Sequence, residues 1–297
     1  MKFRLEGVIP AIVTPFTKNG KEIDYDKACA LAVRLADAGM YGIFVAGTTG
    51  EGLLMTLPER KRLLEELVGV VGKRLKVVAH AGCLDTASTI ELACHAKQAG
   101  ASAAGIIAPG FYTYDDACLY NHYKAVSKAA KGFPLMLYNL PGCAKNALSP
   151  DLTLRLAHDF DNIVGIKDSS GVIHNVTSVI DGAPKGFSII NGVDEYTFEA
   201  LVSGANGAVS STMNVIPEVF LAIYQNVKKG NLKKARTIQK TLTAACGAFQ
   251  YGRMVALYKE GLRLRGFDPG YVRPPQRECT AAERKTLATK LAGLGLI

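Results

Sequence analysis

The feature that most constrains the fold is an eightfold alternation of short apolar runs with helix-like segments. The runs are rich in β-branched residues and cover residues 8–16, 41–47, 76–82, 103–109, 134–139, 163–168, 187–192 and 207–214. Strands covered by helices on both faces are apolar almost throughout, whereas half-exposed strands alternate. The pattern therefore predicts eight parallel strands, each followed by a helical segment.

The segments between the runs carry helix start signals. Asp24, Thr56, Asp85 and Ser149 each precede an amphipathic stretch, as residues that begin helices commonly do. Eight βα units in about 220 residues have the size and count of a TIM (β/α)8 barrel with right-handed crossovers. The alternative is a doubly wound open sheet, but no GxGxxG motif follows the first run.

After residue 214 the strand signals stop. The sequence predicts helices over residues 217–227, 231–248, 254–264 and 281–291, with glycine- and proline-rich turns at 266–270 and 273–275. The first of these helices completes the eighth unit. We therefore predict a catalytic barrel over residues 1–228 and a C-terminal helical extension over residues 229–297, packed against the barrel or another subunit.

Composition and charge narrow the class of protein. The chain has 297 residues, 48% hydrophobic and 21% charged, as ordinary globular proteins do. Its net charge of +9 is spread along the chain without an aromatic-interleaved basic stripe, so we expect no nucleic-acid partner. The chain contains neither an apolar run of about 18 residues nor a signal-peptide core. We therefore expect a cytoplasmic location and no membrane partner.

The cysteines and histidines do not form a metal-binding pattern. Seven cysteines lack a CxxC pair, and five histidines lack HExxH spacing. We expect reduced thiols, mostly packed as small apolar side chains, and no metal.

Lys167 ends the apolar run from Ile163 to Ile166. A lysine is unusual in a buried strand, but it can be accommodated where the strand opens into a cleft. Partial desolvation there favours the uncharged amine that attacks carbonyl carbons. The alternative is that Lys167 marks the solvated end of a strand.

Other strand ends carry polar residues that would meet Lys167 at the carboxyl end of a barrel. Each also has a structural interpretation: a helix cap for the threonines, a core aromatic for the tyrosine and a helix first turn for the acidic pair. Their convergence with a lysine predicts an active site. The residues are Thr48, Thr49 and Gly50 after the second strand, Tyr138 in the fifth, Gly192, Asp194 and Glu195 after the seventh, and Ser211 after the eighth.

Three ordered motifs carry a family resemblance. Residues 42–51 (GIFVAGTTGE), 138–141 (YNLP) and 165–169 (GIKDS) are similar to motifs of the dihydrodipicolinate synthase and N-acetylneuraminate lyase superfamily. The resemblance extends over the barrel from residue 7 to residue 214. It implies a class I aldolase on a TIM barrel, usually a homotetramer, with neither a metal nor a separate cofactor.

The resemblance also implies roles for individual residues. Lys167 would form a Schiff base with pyruvate or another 2-keto acid, and Tyr138 would relay protons. Thr48, Thr49 and Gly50 would hold the substrate carboxylate, with Thr49 also in the catalytic set.

The chain departs from the synthase pattern at two positions. Dihydrodipicolinate synthases carry an arginine for the aldehyde's carboxylate where this chain has Cys143, and only Lys145 lies close by in sequence. A thiol cannot provide a bidentate cationic grip. The family also supplies a tyrosine to the site across a subunit interface, and this chain has Phe111 at the corresponding position. We take Tyr112 as the catalytic replacement, with Tyr114 as the alternative.

Other segments resemble the sialic acid lyases. Residues 79–83, 191–195 and 211–214 are similar to lyase segments in which an Asp-Glu pair and a serine bind the polyhydroxyl tail, and Ser169 matches a hydroxyl residue. The predicted reaction is cleavage of N-acetylneuraminate or a related 2-keto-3-deoxy sugar acid to pyruvate and an aldehyde. The alternatives are condensation of pyruvate with aspartate semialdehyde, a sugar-acid dehydratase, and a non-catalytic barrel that binds a keto acid.

Overall fold

The computed structural model describes residues 3–297 and contains the eight predicted strands. Seven strands lie within an apolar run, and the first begins one residue before its run, at Gly7. Parallel strands covered by helices are buried on both faces, which is why apolar runs form them. The strands are β1 Gly7–Pro10, β2 Gly42–Val45, β3 Lys76–His80, β4 Ala103–Ile107, β5 Leu135–Asn139, β6 Ile163–Asp168, β7 Ser188–Asn191 and β8 Gly207–Ser210.

The strands form a closed parallel barrel. Strands β2 to β8 pair in sequence order, and β8 pairs with β1. The remaining gap is closed between β1 and β2, where Tyr41 N donates to Val8 O at 3.1 Å and Ile12 N donates to Phe44 O at 3.1 Å. The TIM barrel is confirmed, and the doubly wound open sheet is excluded.

Helices surround the barrel and begin at the predicted capping residues. The side chains of Asp24, Asp85 and Ser149 each accept a hydrogen bond from the N–H three residues later, and Thr56 forms a capping box with Glu59. The helices are α1 Tyr25–Asp37, α2 Leu57–Val71, α3 Thr86–Gln98, α4 Asp116–Ala129, α5 Pro141–Ala144, α6 Pro150–Asp159, α7 Ile173–Gly182, α8 Thr197–Val202, α9 Pro217–Lys228, α10 Leu232–Ala248, α11 Val255–Leu264 and α12 Ala281–Gly293.

Two strands end at least four residues before their apolar runs do. β1 ends at Pro10 and β8 ends at Ser210, although the runs continue to residues 16 and 214. Beyond these strands the chain remains buried without strand pairing, and the side chain of Asn214 bonds Ala11 O at 2.7 Å and Val13 N at 3.2 Å. The apolar residues beyond these strands pack in the core, so the apolar run extends beyond the last strand pairing.

The C-terminal extension consists of α10, α11 and α12. α9 completes the eighth βα unit, and α11 is buried along residues 255–262, where it packs beside the mouth of the barrel and against α12. The division of the chain into two domains between residues 228 and 229 stays a prediction. Within residues 3–297, no helix is both long enough and apolar enough to cross a membrane.

Candidate active site

Lys167 and Tyr138 are direct partners across β6 and β5. The Lys167 side chain points into the mouth of the barrel, where its Nζ lies 3.8 Å from the centroid of the Tyr138 ring and 4.8 Å from that of Phe44. The lysine is only 7% exposed. It is therefore a buried amine between aromatic rings, which contradicts the alternative of a solvated strand end.

The amine opens into a chamber of about 430 Å³ at the carboxyl ends of the strands. The chamber wall brings together most of the residues predicted from sequence. They are Thr48, Thr49, Tyr138, Lys167, Ser169, Gly192, Asp194, Glu195 and Ser211.

Two threonines connect separate strand ends through their hydroxyls. Thr48 Oγ1 lies 3.3 Å from the hydroxyl of Tyr138, and Thr49 Oγ1 lies 2.5 Å from Ser211 Oγ. Gly50, in contrast, is not part of the chamber wall, because its carbonyl turns back to accept a hydrogen bond from Thr14 Oγ1 at 2.7 Å. The loop thus exposes the two threonines to the chamber, while the hydrogen bond between Thr14 and Gly50 holds the loop in place outside the chamber wall.

Ser169 and Gly192 are in unusually close contact. A Cβ atom on residue 192 would lie 1.9 Å from Ser169 Oγ, so a side chain at that position would displace the serine. The Ser169 hydroxyl is buried and has no hydrogen-bond partner among the described residues. An unpaired buried hydroxyl in the wall of a chamber is a suitable donor for a bound ligand.

Asp194 is held at the chamber wall by the C-terminal extension. Gln239 of α10 donates from Nε2 to Asp194 O at 2.9 Å and to Glu195 O at 3.3 Å, which fixes the 3-10 turn over Asp194–Tyr196. Burial raises the pKa of the Asp194 carboxyl to about 6, although the hydroxyls of Ser210 and Thr212 oppose this rise. The carboxyl is therefore mainly ionised at neutral pH, and it gains a proton in mild acid.

Sequence reasoning missed two sets of residues around the site. The first comes from the extension, where Cys246, Tyr251, Val255 and Tyr258 contribute to the chamber wall. Cys246, Val255 and Tyr258 occupy buried positions of α10 and α11, and Tyr251 lies in the turn between these helices, so the sequence carried no signal that they line a site.

The second is His80, whose ring lies 5.8 Å from that of Tyr138 in an edge-to-face arrangement. His80 belongs to the lyase-like segment of residues 79–83, but the sequence gives no sign of its contact with Tyr138. Burial, together with the charges of Arg60 and Lys167, lowers its pKa well below the usual value. His80 is therefore a neutral imidazole that packs on the ring of Tyr138.

The predicted substitute for the inter-subunit tyrosine is not in the chamber of its own chain. Tyr112 is 65% exposed and Phe111 is 74% exposed, and neither lines the Lys167 chamber of its own chain. Supply of Tyr112 or Tyr114 to another subunit stays a prediction.

Cys143 does line the chamber, whereas Lys145 does not. Among the described residues of the wall, Lys167 is the only cationic side chain, and Asp194 and Glu195 are the acidic ones. Within residues 3–297, no three His, Cys, Asp or Glu side chains are grouped as metal ligands would be.

A closed TIM barrel with a buried lysine and a tyrosine at its carboxyl end defines the class of enzymes that form imines with small carbonyl compounds. The chain belongs to the dihydrodipicolinate synthetase family, whose model matches residues 4–293. Members of this family are pyruvate-dependent carbon–carbon lyases, so the chain is an enzyme of that kind. The non-catalytic barrel is therefore not supported.

Relatives and solved structures match over nearly the whole chain. A 4-hydroxy-tetrahydrodipicolinate synthase of Methanopyrus kandleri is 33% identical over 100% of this chain and 99% of its own length. YagE of E. coli K12, a prophage protein of the dihydrodipicolinic acid synthase family solved with pyruvate, has a TM-score of 0.94 at 30% identity, covering 99% of both chains. A sialic acid aldolase of Ruminococcus gnavus, solved as a catalytic lysine mutant, has a TM-score of 0.92 at 27% identity, covering 98% of this chain and 95% of its own.

Proposed function

We propose that the chain cleaves a 2-keto-3-deoxy sugar acid, such as N-acetylneuraminate, to pyruvate and an aldehyde through a Schiff base on Lys167. The observation that carries this proposal is the buried Lys167 amine beside Tyr138. Two of the solved relatives support the lysine chemistry with pyruvate, since one is described with pyruvate and another by its catalytic lysine.

The Lys167 amine attacks the keto carbon, and water leaves as the imine forms. The protonated imine then draws electrons from the bond between the α and β carbons as this bond breaks, while Tyr138 accepts the proton of the β-hydroxyl, which becomes the aldehyde oxygen. Protonation of the resulting enamine and hydrolysis of the imine release pyruvate and regenerate the lysine. No separate cofactor takes part in this sequence.

Thr48 and Thr49 are suited to hold the carboxylate next to the imine. Their hydroxyls lie at the same strand ends as Lys167 and connect to Tyr138 and Ser211. Hydrogen bonds to an ionised carboxylate are stronger than those between neutral groups. The two threonines would thereby place the keto carbon against the amine and Tyr138 against the reacting hydroxyl.

The charge of the chamber favours an uncharged, hydroxylated aldehyde. Lys167 is its one cation among the described residues, and the imine uses that charge. Asp194 and Glu195 suit sugar hydroxyls, which donate to carboxylates, and they repel a second carboxylate.

Condensation of pyruvate with aspartate semialdehyde is the second candidate. The names of the curated relatives favour it, since the Methanopyrus kandleri relative is called a 4-hydroxy-tetrahydrodipicolinate synthase. The chamber disfavours it because Cys143 stands where a cation would hold the semialdehyde carboxylate.

A direct comparison of the two reactions tests the proposal. Release of pyruvate from N-acetylneuraminate and 2-keto-3-deoxygluconate is measured beside consumption of pyruvate with aspartate semialdehyde. We expect kcat/KM to be higher for at least one sugar acid. A higher kcat/KM for the semialdehyde would overturn the choice of substrate and leave the lysine chemistry intact.

The same proposal includes assembly as a homotetramer. Leu53, Leu84, Phe111 and Tyr112 are all at least 60% exposed on the described chain. Several large exposed apolar side chains are typical of surfaces that bind another protein. Light scattering should give the mass of four chains, and a monomer at micromolar concentration would contradict the assembly.

A further inference from the structure

We infer that Tyr258, in α11 of the C-terminal extension, is a specificity-determining residue whose hydroxyl binds a hydroxyl of the aldehyde portion of the substrate. The inference rests on the proposed function and names a contact that the sequence motifs do not contain.

The position of Tyr258 is fixed by aromatic packing. Its ring stacks on Phe249, with centroids 5.0 Å apart and planes at 23°. The residue is 4% exposed, yet it belongs to the wall of the Lys167 chamber together with Ser211 and Asp194. A rigid aromatic ring thus carries a polar group to the chamber.

Asp194 provides the second half of this subsite. Its backbone is held by Gln239, and the thiol of Cys246 lies 3.8 Å from Asp194 Oδ2. Burial first, and then the charge of Asp194, raises the pKa of Tyr258. The Tyr258 hydroxyl therefore keeps its proton at neutral pH and can donate a hydrogen bond, while ionised Asp194 is an acceptor.

A donor beside an acceptor matches an alcohol better than a carboxylate. A ligand hydroxyl can accept a hydrogen bond from Tyr258 and donate one to Asp194. A carboxylate has no proton to donate and meets the charge of Asp194. Tyr258 and Asp194 together would therefore select a hydroxylated aldehyde and reject one that ends in a carboxylate.

Tyr123 shows the different environment of a purely structural tyrosine. It is 1% exposed, and its hydroxyl donates to the backbone oxygen of Ile106 at 3.2 Å, within the barrel wall and outside the chamber. Tyr123→Phe is thus a matched control for Tyr258→Phe, since each change removes one buried phenol oxygen.

The test measures condensation of pyruvate with two four-carbon aldehydes, D-erythrose and butanal, which differ in their hydroxyl groups. For Tyr258→Phe, we expect KM for erythrose to rise about fivefold to tenfold, as loss of one hydrogen bond predicts. KM for butanal, KM for pyruvate and the melting temperature should stay as in wild type. Tyr123→Phe should leave both aldehyde KM values unchanged.

Two results would overturn the inference. One is an unchanged erythrose KM in Tyr258→Phe, and the other is a wild-type enzyme that does not prefer erythrose to butanal. Borohydride trapping of pyruvate on the same samples separates this failure from failure of the proposed function. A trapped adduct combined with either result rejects Tyr258 alone, whereas absence of an adduct rejects the Schiff-base chemistry.

Discussion

Lys259 and Glu51 form an ion pair with an Nζ–Oε1 distance of 2.8 Å, and both side chains are completely buried. Lys259 Nζ also donates to the backbone oxygens of Thr14 at 2.7 Å and Tyr271 at 2.5 Å. Arg273 N donates to the other Glu51 oxygen at 2.9 Å. All three donors of the Lys259 ammonium are therefore satisfied. The ion pair connects the loop that carries Thr48 and Thr49 to α11 of the C-terminal extension.

Breaking this ion pair should be strongly destabilising. Burial raises the pKa of Glu51 and lowers that of Lys259, while their mutual attraction opposes both shifts. Lys259→Met leaves Glu51 without its partner and should lower the unfolding free energy by about 3–5 kcal/mol. Urea unfolding measures the change. A Glu51→Gln/Lys259→Met double variant should recover part of the loss, and a single variant as stable as wild type would contradict this role.

Cys143→Arg should shift the enzyme toward aspartate semialdehyde. The side chain of residue 143 lies in the chamber wall, so a guanidinium there can meet the carboxylate of that aldehyde. A hydrogen bond to a charged group contributes about 1.5–3 kcal/mol, so kcat/KM for the semialdehyde should rise about tenfold or more. Cys143→Gln is the uncharged control. No gain from arginine would show that the missing cation does not limit this reaction.

Asp194→Asn should weaken sugar-acid binding in a pH-dependent way. At pH 8 the lost carboxylate should raise KM about fivefold or more. As pH falls through about 6, Asp194 of the wild type gains a proton and the difference between the two enzymes should narrow. Steady-state kinetics from pH 5 to pH 8 check this, and a KM ratio that does not vary with pH would remove the carboxylate from the substrate site.

The same substitution should stabilise the fold at high pH. The folded-state pKa of Asp194 is raised from 3.8 to about 6, so the folded protein holds a proton that the unfolded chain has released. The stability that this provides is complete below pH 3.8 and is lost as pH rises through about 6. At pH 8, Asp194→Asn should therefore be more stable than wild type, by about 3 kcal/mol at the upper limit. Equal stability of the two at pH 8 would be inconsistent with a raised pKa.

Gly192→Ala should damage the site through Ser169. The new Cβ would lie 1.9 Å from Ser169 Oγ and 3.1 Å from Asp168 O, so the serine must move. We expect kcat/KM to fall about tenfold or more, as small displacements in active sites commonly cause. Combining Gly192→Ala with Ser169→Ala removes the contact with Ser169 Oγ and should restore part of the activity. If kcat/KM of the double variant were no higher than that of the single variant, displacement of Ser169 would not be the cause of the loss.

The sequence predicted the strands and the lysine for the same physical reason. A run buried on both faces, such as residues 163–166, requires an apolar sequence, and Lys167 interrupts that pattern where β6 opens into the chamber. The strand ends were harder to place because Val13 and Met213 are buried beyond the strand ladder and prolong the apolar runs.

Contributions from distant parts of the chain could not be predicted. Gln239 bonds the turn at Asp194 from 45 residues away, and Tyr258 reaches the chamber from a helix that is buried almost all round. Local periodicity indicates that such residues are buried, but it does not indicate what they contact. The site therefore includes a wall from the C-terminal extension that only the folded chain reveals.

Intact mass after borohydride reduction in the presence of pyruvate tests the central claim most directly. The Lys167 amine should form an imine that borohydride traps as one reduced pyruvate adduct per chain. Lys167→Ala should show no adduct, while Lys145→Ala, a change at a nearby lysine outside the chamber wall, should be labelled like wild type. An unlabelled wild type, or an adduct that persists in Lys167→Ala, would contradict the Schiff-base mechanism.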